Sequence, residues 1–66
     1  MKRKNLIKFR VDNGLKAKFI AEKVGVSRVK YSNIENGRTK PSIEFASKFQ
    51  EAFGVEDIFE LLKEEE

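Results

Sequence analysis

Within the run Gly25-Val26-Ser27-Arg28-Val29-Lys30-Tyr31-Ser32-Asn33-Ile34-Glu35-Asn36-Gly37, four residues have side chains suited to reading another molecule: Arg28, Val29, Lys30 and Asn33. An arginine fork matches paired acceptors such as guanine O6 and N7, an asparagine amide matches adenine N6 and N7, and a valine packs on a thymine methyl. Lys30 fits a base edge or a phosphate equally well. On a helix, Arg28, Val29 and Lys30 occupy the first turn and Asn33 lies one turn later, so Arg28, Val29 and Asn33 can address base edges together. The plainer alternative leaves Arg28 and Lys30 as solvated charges and Val29 as a stray surface apolar residue.

Such a helix needs defined ends, and the sequence supplies them. Ser27 has the side-chain oxygen of an N-cap, and Asn36-Gly37 provides residues that tolerate the left-handed backbone of a helix stop. Tyr31 and Ile34, three apart, form the face that docks, while Arg28, Lys30 and Asn33 have no apolar partner at helical spacing. The helix therefore presents its N-terminal end.

Hydrophobic spacing predicts five short helices and no strands. The first spans about Asn5 to Asp12, with Leu6 and Phe9 inward and Asn13-Gly14 as its stop. The second runs from about Lys16 to Val24, turning Phe19 or Ile20, Ala21 and Val24 to the core, with Leu15 just ahead of it. Only Gly25-Val26 separates it from the third, Ser27 to Asn36, a link that suits two helices crossing steeply. Arg38-Thr39-Lys40-Pro41-Ser42 reads as a polar loop in which Pro41 blocks continuation and Ser42 caps a fourth helix ending near Ala52. Its expected inward stripe is Ile43, Ala46, Phe49 and Phe53. Gly54 stops it before a short fifth helix bearing Ile58, Phe59, Leu61 and Leu62.

Charge is unevenly divided along the chain. Residues 1–48 hold thirteen of the fourteen Lys and Arg against four acids, a net of +9, whereas residues 49–66 hold Lys63 against seven acids, a net of −6; together they give the overall +3. A polyanion-facing surface and a separate surface that avoids it would produce this pattern, as would a solvated domain with a charged tail. Lys2, Arg3 and Lys4 make residues 1–4 a basic arm, expected to be a disordered, solubilising start, the alternative being an arm laid over a nucleic-acid backbone; residues 63–66 read as a frayed acidic tail.

Composition excludes several classes. The 66 residues make one small domain spanning 1–66; at that size a chain buries only about 60% of its unfolded surface. With no cysteine and no histidine, thiolate zinc sites, disulfides and the commonest general base are unavailable, and no phosphate-binding glycine loop is present. Neither an enzyme nor a metal or cofactor site is expected. The apolar stretch near the start is broken by Lys8 and Arg10, so it fits neither a signal peptide nor a membrane span, and a cytoplasmic protein is expected.

The stretch from Asn13 to Ser42 resembles the lambda-repressor-like helix-turn-helix family of phage repressors, Cro proteins and bacterial XRE-type regulators. The resemblance rests on Gly14-Leu15, on IAEKVGVS at residues 20–27, on IENG at 34–37 and on Pro41-Ser42, and covers roughly residues 5–54. It implies a compact all-α bundle of about five helices that binds double-stranded DNA, usually as a homodimer, with its third helix in the major groove. Positions Lys16 and Ala17 depart from the family's usual Ser or Thr and Gln, so that a cap and an amide donor are missing where the second helix meets a phosphate. The backbone-contacting set implied is Lys16, Ala17, Lys18, Ser27, Asn36, Arg38, Thr39 and Lys40, with Arg38, Thr39 and Lys40 also offering free amides, and Asn36 equally suited to simple helix termination. Arg10 and Glu35 match a family ion pair tying the first helix to the third, expected here to be enclosed.

The resulting expectation is a sequence-specific transcriptional regulator, a repressor that occupies a palindromic operator. It would be bacterial or phage-encoded, nucleoid-associated when bound, and without a small-molecule ligand domain. Ile58, Phe59, Leu61 and Leu62 are the expected dimer interface, kept from phosphate by Glu56, Asp57 and Glu60. The rivals are an antitoxin or restriction-modification controller subunit, and a protein-interaction module using the same fold.

Overall fold

Five helices account for the regular structure of the computed structural model, which describes residues 1–64: α1 (Lys4–Asp12), α2 (Ala17–Val24), α3 (Arg28–Glu35), α4 (Ile43–Phe53) and α5 (Ile58–Leu61). No strand occurs among the described residues. The expected caps form: Ser27 Oγ accepts the Lys30 N–H at 3.1 Å and Ser42 Oγ the Phe45 N–H at 3.0 Å, each satisfying a donor the helix start leaves open. Asp57 does the same for α5, accepting the Glu60 N–H at 3.1 Å. At the end of α3 only Gly37 is left-handed, with φ of 76°, while Asn36 stays at −85°.

α2 packs on α3 and α4, and α1 on α3 and α5. Between them lies a core in which Leu6, Ile20, Tyr31, Ile34 and Phe49 are wholly buried. Aromatic rings run through it: Phe49 meets Phe53 at 4.9 Å and Phe9 at 5.5 Å between centroids, and Phe45 bridges to Tyr31 at 6.3 Å. The choice within α2 falls to Ile20, while Phe19 stays at the surface between Phe53 and the Lys23 ammonium.

Four expectations need correction. Ile43 is not on the inward stripe of α4; it is 90% exposed, and Phe45 is buried in its place. Ile43 is the first helical residue after the Ser42 cap, and the inward row begins two residues on, running Phe45, Phe49 and Phe53 at intervals of four. Most of α5 is likewise not a free apolar face: Ile58 is in the core and Leu61 and Leu62 are half-buried against it, leaving Phe59 alone turned outward at 85% exposure. A helix of only four residues laid across α1 and α4 can seat two of its apolar side chains there, with its C-cap Leu62 beside them. Finally, the arm over residues 1–4 is not disordered, for Arg3 is 3% exposed, its N–H donates to Glu35 O at 2.8 Å, and Lys4 opens α1. The tail expected over 63–66 is also tied at Glu64, which pairs with Arg3 at 3.3 Å; Glu65 and Glu66 lie outside the described residues.

One polar cluster joins α1 to α3. Arg10 Nε donates to Glu35 Oε2 at 2.7 Å and its Nη2 to Oε1 at 3.3 Å, while Tyr31 Oη donates to the same Oε2 at 2.6 Å. The Glu35 side chain is 8% exposed and that of Arg10 26%, so the pair is enclosed. Its bond to Glu35 raises the Arg10 pKa, and burial, reinforced by the neighbouring carboxylate, holds the Tyr31 hydroxyl proton far above its ordinary range.

Removing one partner of an enclosed ion pair strands the other, so Glu35→Ala is expected to destabilise by about 3 kcal/mol. Glu44→Ala, which breaks only the exposed pair with Lys48, should leave the urea midpoint near that of the parent. Equal midpoints for the two variants would show the cluster to be dispensable. Tyr31 adds a pH dependence. The folded chain keeps its phenolic proton where the unfolded chain releases it, so stability is fully present below about pH 10 and falls by up to about 1.4 kcal/mol per unit above it. Urea midpoints measured on either side of pH 10 should therefore drop more steeply in the parent than in Tyr31→Phe, and parallel curves would remove Tyr31 as the cause.

Candidate nucleic-acid interface

α3 is oriented by its inner side. Tyr31, Ile34 and Glu35 face the core, and with 3.6 residues per turn this carries Val29 and Asn33 to the opposite side, Arg28 and Ser32 to one flank and Lys30 to the other. Val29 is 67% exposed, a lone apolar side chain on a polar surface.

Arg28, Val29, Ser32 and Asn33 line one shallow groove with Ala17 from the start of α2 and Arg38 from the loop beyond α3. No carboxylate is among these six. Five of them belong to the sets expected from the sequence: Arg28, Val29 and Asn33 from the base-facing set, Ala17 and Arg38 from the backbone-facing set. Ser32 was not expected, although its spacing of four from Arg28 and three from Val29 is the signal that places it there. An adjoining concavity is lined by Lys18 and Ser27 and shares Arg28. Arg28 thus stands at the junction of two grooves, with the Glu22 carboxylate among the residues lining the second.

The remaining expected residues lie elsewhere. Lys30 sits on the α4 side, where its charge adds weakly to the Lys48 hydrogen bond that lowers the Glu44 pKa. Lys16 and Lys40 are exposed outside both grooves. Lys16, the N-cap residue of α2, makes no side-chain cap there. The Asn36 amide donates back to Ser32 O at 3.0 Å, the helix-terminating role. Nor are the amides of Arg38 and Thr39 free as expected: both donate to Asn33 O, at 2.9 and 3.3 Å. That shared acceptor folds the loop tightly against the end of α3, so its cations and the Thr39 hydroxyl, rather than those two amides, are what it can offer a phosphate.

Gly37 lets the chain make this turn. Its φ of 76° suits a residue without Cβ, and a Cβ at that position would collide with the Met1 backbone carbonyl, which lies directly against it. The start of the chain is therefore packed on the same loop.

Among the described residues, no three His, Cys, Asp or Glu side chains are grouped to hold a metal ion, and no helix is long and apolar enough to cross a membrane. A family model described as helix-turn-helix matches residues 6–59. Comparison with curated proteins and with solved structures gives no match.

Proposed function

The chain belongs to the lambda-repressor-like helix-turn-helix family of DNA-binding regulators, and on that premise we propose that it is a repressor that occupies a palindromic operator as a homodimer. The observation that carries the reading is the groove in which Arg28, Val29, Ser32 and Asn33 meet Ala17 and Arg38 with no carboxylate among them. A duplex laid along α3 would receive Arg28 at a guanine, Asn33 at an adenine and Val29 at a thymine methyl. Lys16, Lys18, Arg38 and Lys40 would meet phosphates on either side, the first two at the start of α2 and the others beyond the end of α3. Binding at an operator excludes other proteins from the same DNA, so no chemistry is required of the chain.

One short helix reads few base pairs, and two copies placed about 34 Å apart in successive major grooves supply the missing specificity. The surface proposed for self-association is Phe59 with Ile43, two large apolar side chains at 85% and 90% exposure that border one groove with Ala46 and Gln50. Ile58 also lines that groove, with Glu56 and Asp57, but is buried in the chain's own core and offers little surface.

Titrations on a site selected from random DNA, and on single-base variants of it, test the reading. Arg28→Ala is expected to relax preference at one base pair at a cost of about 1 to 3 kcal/mol, and Lys40→Ala to weaken every sequence alike and flatten the salt dependence by about one unit of slope. A uniform loss from Arg28→Ala would move that residue from base to backbone contact. For the assembly, sedimentation with a palindromic duplex should give two copies per site for the parent and fewer for Phe59→Asp, with circular dichroism unchanged. One copy per site for the parent would end the dimer proposal.

A further inference from the structure

We infer that Arg3 is the positioning residue of the loop that faces phosphate, a clasp that fixes Arg38 to Lys40 on the end of α3 and ties both to the end of α5. This rests on the reading of that loop as a DNA-backbone contact.

The clasp follows from a count of backbone acceptors. An α-helix leaves its last four carbonyls without internal donors. In α3, Ser32 O is served by the Asn36 N–H and side-chain amide, each at 3.0 Å, and Asn33 O by the amides of Arg38 and Thr39. Ile34 O accepts from the Gly37 N–H at 3.2 Å and from Arg3 Nη1, and Glu35 O accepts from the Arg3 N–H at 2.8 Å. Arg3 thus serves two of the four. Its Nη1 also donates to Thr39 O at 3.1 Å, inside the loop, and its Nε to Leu62 O at 3.1 Å, at the end of α5. Glu64 supplies the counter-charge at 3.3 Å.

Only a guanidinium can do this. Its planar fork aims several donors in fixed directions, whereas an ammonium is a point charge on a flexible stem. A cation at the C-terminal end of α3 also meets the negative end of the helix dipole. Because the Arg3 side chain is only 4% exposed, it cannot itself reach a phosphate. Any effect of Arg3 on the salt dependence of DNA binding must therefore pass through the cations of the loop it holds.

The test compares the unmodified chain with Arg3→Lys, first alone and then with a duplex selected from random DNA. Without DNA, the amides of Arg38 and Thr39 should exchange about tenfold faster in Arg3→Lys, with those of Ile20 and Phe49 unchanged. With DNA, the variant should bind more weakly and its salt dependence should be shallower by about one unit of slope. Equal exchange and equal slopes would overturn the clasp. If the unmodified chain shows no salt-dependent binding, the DNA reading of the loop fails and the exchange rates alone decide the clasp. If Arg3→Lys does not fold, the Arg3 Nε–H of the unmodified chain serves instead: protection from exchange supports the clasp, and exchange as fast as that of Arg28 overturns it.

Discussion

Glu35 places a carboxylate where water hardly reaches, and α3 can hold it there only while Arg10 and Tyr31 both donate to it. Replacing such a cluster by apolar side chains often leaves stability unchanged or improves it, so its value lies in geometry more than in energy. Tyr31 and Glu35 are one turn apart on α3, and Arg10 comes from the end of α1. Together they set the rotation of α3 about its own axis and its distance from α1. A rotation of α3 about its axis would turn Val29 and Asn33 away from the groove they line. The polar contacts on one side of this helix thus determine which side chains appear on the other.

Much of this architecture is readable from local signals. Ser27 and Ser42 announce helix starts because a cap needs only a side-chain oxygen and the next three residues, and Gly37 announces a stop for an equally local reason. Where the deciding partner is distant, the sequence is mute. Ile43 and Phe45 both fit an apolar stripe with Phe49, and the choice between them depends on how α4 sits against Tyr31. Arg3 looks like any other residue of a basic start, because its partners are carbonyls, which have no signature in a side-chain alphabet. The Tyr31 hydroxyl did have a visible candidate four residues away in Glu35, yet the spacing alone could not show that both face inward.

The groove shows the same division. Arg28, Val29 and Asn33 follow from helical periodicity once the cap is placed, and so does Ser32. That Lys30 belongs to the opposite flank requires knowing which side of α3 is buried. Electrostatics reinforces the layout: α5, which contains Glu60 and follows Glu56 and Asp57, packs on α1 and α4, while the groove is built by α2, α3 and the following loop. The groove's two cations, Arg28 and Arg38, thus lie on elements other than the acidic end of the chain. A polyanion approaching within a Debye length of about 8 Å at physiological salt meets the basic side with little opposition from the acidic one.

The contact between Arg3 and Leu62 spans fifty-nine positions, and Ile58 closes the core beside Leu6 and Phe49. Closure of this kind orders events in time. As the chain is synthesised, α1 to α4 emerge without the helix that closes the core, and Arg3 can reach the carbonyls of Ile34 and Glu35 but not yet that of Leu62. Native packing is complete only once residues 58–62 have been made and brought back to the beginning, a long-range step that is slower than local helix formation. Until then the core that Ile58 joins and that Leu61 and Leu62 pack against is open on that side. A chain cut before residue 58 would keep the residues of α1 to α4 but leave the core without Ile58.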